Sequence, residues 1–466
     1  MNRRAHILLQ TGSLSALLVL FLGTAQPSIA QEETREVQVS FDSLSVRTVG
    51  DRTISDWLRP VFIQDEFRLK ARNGMDEGTG FIRFWGDVEI IEKGDTIRAD
   101  RVRYQKETKI GLAEGNVSLT DGSVVLRAPS ATYFSNEERT AFVDGVTYED
   151  SAATLVAQQA VYMSKENRAT FSQQVVLTQE DMTVNADSVV HLRESGESWA
   201  WGHIAALRAS MEDSIRVFMV ADSLFRDAGR DLVVVSGSAR LARLDDAAQD
   251  SVFMVASRFT IRPDGSMTAV DSVVVSAPSY DLRADSLTTQ DSSNDRTEAR
   301  IFGQPMAWVQ DTQMRSDDLR ITSGALADSI FGVGNVFVAT PDSMSGRTNQ
   351  LRGQTLIAVM VADSLRSLAI SDNAEAVFFF ESEENGGSVG AKASGDGMTF
   401  TFTAGALDRV AFYEGVEGTY YSGALLDQLA NLPGFIFTPE DRPNRRRTGA
   451  QFWDAYLERT TVSSSR

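Results

Sequence analysis

Apolar residues recur along this chain in columns 29 residues apart. Val88, Val117, Val146, Val175 and Ile204 form the first column, and Ile90, Leu119, Tyr148 and Leu177 follow two residues on. Ile97, Leu126, Leu155 and Val184 make the third, then Ala99, Ala128, Ala157 and Ala186. Each unit closes with Val102, Ala131, Ala160 and Val189, and with Tyr104, Tyr133, Tyr162 and His191. Self-similarity at a fixed period marks a repeat architecture, in which stacked units bury one continuous core. Within a unit the apolar step is two residues, the period of a strand and not of a helix. Turn signals fall at "EKGD" (92–95), "QKET" (105–108), "TDGS" (120–123) and "SNEER" (135–139), so each unit is expected to hold about three short strands.

The parity of the pattern changes inside each unit. Ile97 and Ala99 share one side of a strand, Val102 and Tyr104 share the other, and the switch falls at Asp100–Arg101. It recurs at Pro129–Ser130, Gln158–Gln159 and Asp187–Ser188. A flat strand would turn half of these apolar groups to solvent. A bend or bulge at the polar pair keeps both sets inward, and the small Ala allows close approach inside the bend. The expected fold is an all-β sheet curling around an apolar interior. The candidate lining of that interior is Val88, Ile90, Ile97, Val102, Tyr104, Val117, Leu119, Leu126, Tyr133, Leu155, Tyr162 and Val175. In any curled sheet such columns also serve as core, packing against one another.

The strict period covers residues 80–205 and loosens over 206–421. "ADSLF" opens at Ala221, "ASRFT" at Ala256, "ADSLT" at Ala284 and "SDDLR" at 316–320, with steps of about 28 to 37 residues. A Gly-containing junction recurs with the columns, as in "WGDV" (85–88), "EGNV" (114–117), "WGHI" (201–204) and "GVGNVFV" (332–338). Roughly ten units fit between residues 80 and 421. Residues 31–79 carry weaker strand character. Residues 422–466 read as a C-terminal extension, with "SGALLDQLANL" as a short helix, a Pro-punctuated stretch and a disordered tail.

The N-terminus changes the picture of where the chain works. Arg3 and Arg4 precede an apolar run from Leu8 to Leu22, and Ser28 and Ala30 supply a small-x-small cleavage site. Residues 1–30 are therefore expected to be a secretory signal peptide cleaved after Ala30. A retained anchor is the rival reading, but the run is short for a span of ~20 residues. With no cysteine in 466 residues, disulfides, thiol catalysis, zinc–thiolate sites and lipobox acylation are excluded.

Charge and candidate chemistry narrow the functions further. Acidic residues number 64 against 45 basic, which disfavours binding nucleic acid through its phosphates. No phosphate-binding loop is present, so no nucleotide cofactor is expected. His191 occupies the tyrosine column and reads as structural, and His203 in "WGHI" has no second His at ligand spacing. "DSSND" (291–295) lacks the glycine and distal glutamate of a calcium loop and reads as a solvated turn. The Asp of the recurring "ADSL" falls on the outward side of the bend. Arg445–Arg447 is the one tight basic run, a solvated tail or a docking patch for an acidic partner or lipid headgroups. These readings imply neither catalytic nor metal-binding residues.

The unit "GNV.L…………A……Y", clearest in "EGNVSLTDGSVVLRAPSATYF", resembles the LptA/OstA family of lipopolysaccharide-transport proteins, most strongly over residues 80–205 and more weakly to about 421. The tail "LPGFIFTPEDRP" resembles the end of long OstA-like proteins of Bacteroidetes-type bacteria. The resemblance implies an elongated, twisted, open β-jellyroll that carries lipopolysaccharide acyl chains in an apolar groove across the periplasm. It implies pairing of exposed edge strands with other Lpt-type jellyrolls, or with a second copy, and an association with the outer membrane. Only about 45 residues follow the array, which points to a bridge and not to an outer-membrane pore. Two rivals stand beside this reading. One is a structural or adhesive surface β-repeat protein without lipid cargo, and the other a polysaccharide-active β-helix enzyme, for which no column of clustered acidic residues appears.

Overall fold

The computed structural model describes residues 38–461 except 65, 93, 152, 180, 210–214, 246–249, 293–295, 325–326, 343–344, 362, 382–387 and 404–405. The signal peptide expected at 1–30 lies outside the described residues, as do 462–466 at the end of the tail. The chain is all-β over most of its length, in antiparallel hairpins. It divides into two compact units, one ending at Trp201 and the other starting at Gly202.

In the first unit a 29-residue period is one hairpin of two long strands, such as Phe81–Glu92 with Asp95–Gln105 or Ile110–Thr120 with Val125–Phe134, except over 139–163, where both strands break at the bend into Arg139–Val143, Val146–Glu149, Thr154–Ala157 and Gln159–Met163. The expectation of three short strands is thus corrected: the Gly junction is not a turn, because the ladder resumes beyond it. The ladder slips there, between Trp85 and Val88, and it slips likewise between Ser172 and Val175, where Gln173 and Gln174 stand in place of the glycine junction. The extra residues belong to the Gly junction and not to the polar pair facing it. Gly86 and Asp87 have φ of 80° and 52°, and Gly115 and Asn116 of 77° and 46°. Two successive left-handed residues turn the strand sharply, which explains why Gly leads and Asn or Asp follows.

This bulge moves each strand from one layer to another. Segments 81–85, 101–105, 110–114 and 130–134 pair in a front layer, and 88–92, 95–99, 117–120 and 125–128 pair in a back layer. The sequence columns become cross-strand pairs. Val88 faces Ala99, Val117 faces Ala128 and Val175 faces Ala186, while Ile90 faces Ile97 and Leu119 faces Leu126. A large residue of one column therefore sits opposite a small one, and the layers close over a buried core.

The second unit repeats the plan, with bulges at Gly237–Ser238, Asp271–Ser272, Gly334–Asn335 and Asp372–Asn373. Its back layer is buried on both faces: Ile204, Ala205 and Ala206 are all fully buried, as are Ala307, Trp308 and Val309. The second cover is the C-terminal segment. It starts as a 3-10 turn, Gly423–Gln428, where a short helix is expected over 422–432, and ends in the helix Arg445–Thr461.

Candidate functional site

The interior of the first unit brings the twelve predicted lining residues together. Val88, Ile90, Ile97, Val117, Leu119, Leu126, Leu155 and Val175 come from the back layer, and Val102, Tyr104, Tyr133 and Tyr162 from the front. Nine are buried, and Ile90, Tyr104 and Tyr133 are half-buried. Phe84, Phe142 and Phe171 share this interior and are absent from the predicted set. They follow the same 29-residue period, interrupted by Ala113, so a column search tolerant of Ala would find them. The layers meet through these aromatics: the Tyr148 ring stands edge-on to Phe171 with centroids 5.5 Å apart.

Opposite the bulges, the free ends of the layers are joined only by side chains among the described residues of this unit. Ser164 Oγ, on a front-layer turn, donates to Asp95 Oδ2 of the back layer at 2.8 Å. Tyr133 donates its hydroxyl to Glu92, and Arg193 pairs with Asp121 and donates to Ser123. A cavity of about 30 Å³ remains behind these bridges, with Ile90, Ile97 and Leu119 on its apolar side and Glu92, Asp95 and Glu138 on its polar side. That is room for a water molecule or two and far less than an acyl chain fills. Anything larger must part the layers.

Burial sets the electrostatics of this mouth. It raises the Asp95 carboxyl above the usual carboxylate range, with the Ser164 hydrogen bond and the Arg193 charge pulling the other way. Burial also pushes the Tyr162 phenol up to about 12, with Asp95 adding to the shift. Tyr133 is held further up by burial and by its carboxylate partner Glu92. These hydroxyls stay protonated, and that of Tyr133 serves as a donor.

The remaining candidate residues have structural surroundings. His191 Nδ1 lies 2.9 Å from Ser198 Oγ, and His203 takes the left-handed bulge position with φ 46°. Asp100, in the bend, accepts from Asn116 Nδ2 at 2.9 Å. Arg445 opens the C-terminal helix and donates to the Ser251 carbonyl at 2.8 Å. "DSSND" lies partly outside the described residues. Among the described residues no group of three or more His, Asp or Glu side chains is placed to hold a metal ion, and no helix is long and apolar enough to cross a membrane.

Residues 59–187 match a family described as OstA-like protein. Among solved structures, the chain is similar to LptH of Pseudomonas aeruginosa, described as the LptA-homologous periplasmic component of the conserved lipopolysaccharide transport device. The identity is 20% over 21% of this chain and 75% of that one, with a TM-score of 0.20. No curated protein matches the chain.

Proposed function

We propose that this chain is a periplasmic, non-enzymatic bridge that shields the acyl chains of lipopolysaccharide between its two layers on the way to the outer membrane. One observation carries the reading: a contiguous apolar interior runs beneath a mouth closed by side-chain bridges, with no backbone ladder to break among the described residues of the first unit. The OstA-like match over 59–187 supports it. Burying a methylene is worth ~0.8 kcal/mol, so one 12-carbon chain represents roughly 10 kcal/mol. A trough lined evenly by the inward columns lowers that barrier without chemistry and lets cargo slide.

Partners follow from the ladder ends. Ala406–Tyr413 and Glu417–Ser422 each pair on one side only, with Ser388–Thr403, among the described residues. Such edges template pairing with another Lpt-type jellyroll or a second copy. The small cavity favours a second reading, a structural repeat protein whose columns are core alone. Photocrosslinking in cells separates the two: a benzophenone placed singly at Ile97, Leu126 or Leu155 is expected to capture labelled lipopolysaccharide, and at Arg98 or Arg127 it is not. Silence at all three inward positions in a folded, exported protein would give the structural reading the lead.

A further inference from the structure

In the second unit the outer face of the back layer carries Phe218, Val220, Ala242, Phe337 and Val377, with the buried polar groups Asp281, Gln313 and Gln350 among them, and one continuous segment covers it. Phe452 of the C-terminal helix is buried against Phe218, Val220, Ala242 and Phe253. Trp453 and Tyr456 stand edge-on to Phe218, with centroids 5.0 and 5.3 Å away. Upstream, Arg442 Nε donates to the buried Asp281 carboxylate at 2.8 Å. Two glutamines of the back layer read the segment as it passes. Gln313 donates to the Ile436 carbonyl at 3.1 Å and accepts from the Thr438 N–H at 2.9 Å. Gln350 donates to Asn431 Oδ1 at 2.6 Å and accepts from the Leu432 N–H at 2.9 Å. Leu432 itself packs on Phe337, Ala339 and Val377.

The front layer of this unit has a different outer face, on which Phe302, Val333 and Ile357 stay exposed. In a repeat array each unit contacts its neighbours, so stability passes along it step by step. The C-terminal segment bypasses that rule, because one stretch of chain grips strands from Ile215–Asp227 to Ser364–Glu381. Among the described residues its contacts fall on their back-layer halves and, through Arg459, on Asp222 at the bend.

We propose that residues 423–461 are an internal splint. They make the back layer of the second unit the fixed wall of its interior and leave the front layer as the wall that moves when the interior opens. The inference concerns the mechanics of this unit and does not rest on lipid as the cargo.

Amide hydrogen exchange on the full chain tests it, because the two halves of one strand are read in one experiment. In the strands Asp328–Pro341, Thr348–Val361 and Ser364–Glu381, the back-layer halves 336–341, 348–353 and 374–381 are expected to exchange at least about tenfold more slowly than the front-layer halves. Phe452→Ala loosens the helix at Phe218, Val220, Ala242 and Phe253, and is expected to speed exchange there and also at 336–341 and 374–381, by about threefold or more, with the front halves unchanged. Gln350→Ala, read in reverse at 218–220 and 253–255, is expected to do the same. Equal protection of the two halves in the unaltered chain would overturn the proposal. So would acceleration confined to the strands that the altered side chain touches, or spread evenly over both layers. Should Phe452→Ala fail to fold, the unaltered chain and Gln350→Ala decide.

Discussion

Asp100 sits over the bulge of the neighbouring strand: its carboxylate accepts from Asn116 Nδ2 at 2.9 Å, and its Cβ lies 2.9 Å from where Gly115 would carry one. Asp222 stands over Gly237 and Asp317 over Gly334 in the same way, the latter accepting from Asn335 Nδ2 at 2.8 Å. The recurring "AD" and "GN" of the sequence are therefore two sides of one contact. Gly115→Ala is expected to cost about 2–3 kcal/mol, because a positive φ and a collision with Asp100 add. Gly122 also has positive φ but nothing within 4 Å of a Cβ, so Gly122→Ala should cost only about 1 kcal/mol. Urea unfolding of the two variants checks the difference.

The interior should be as unforgiving as any core. Leu126 is fully buried, and Leu126→Ala is expected to lose about 2–5 kcal/mol. Val156 lies two strands along in the same back layer but is 46% exposed, so Val156→Ala should stay within about 0.5 kcal/mol. Equal losses in thermal unfolding would mean that the inner and outer faces are assigned wrongly.

The mouth should respond to pH through Asp95. Its carboxyl is raised by burial, so the folded chain holds this proton more tightly than the unfolded one. Its contribution to stability is then most favourable below the ordinary carboxylate range and declines as pH rises through the raised value. Asp95→Asn removes the charge, so it is expected to raise the melting temperature at pH 7. The gain should shrink as the pH falls below about 4. A gain that persists unchanged into acid would assign the effect to something other than this titration.

The splint has a polar anchor whose loss should be large. Asp281 is buried and accepts from Arg442 Nε and, at 2.8 Å, from Ser276 Oγ. Arg442→Ala leaves that carboxylate without its cation and is expected to cost about 3 kcal/mol. Adding Asp281→Asn should recover part of the loss, and a double-mutant cycle in denaturant measures how much.

The glycine junctions show how far a one-dimensional reading reaches. Parity indicates that each strand bends near Asp100–Arg101, but the extra residue belongs to Gly115–Asn116 of the strand it pairs with. The polar pair and the glycine junction face each other, so both carry the parity signal, and only the pairing register separates them. The column of Phe84, Phe142 and Phe171 was hidden for a related reason. Ala113 takes its place in one unit, paired with Val102 on one side and Ala131 on the other, which interrupts the aromatic column.

What the sequence determined by itself was the repeat, the all-β class and the inward face. These are local consequences of strand alternation and of hairpins whose turns set the register, and they recur at a fixed period because each unit solves the same local problem. Only the tertiary structure decided how the mouth is bridged and what residues 423–461 do. Ser164 meets Asp95 across 69 positions and Arg442 meets Asp281 across 161. Contacts of that span have no period, since they are made once, where two surfaces already built by the repeats come together.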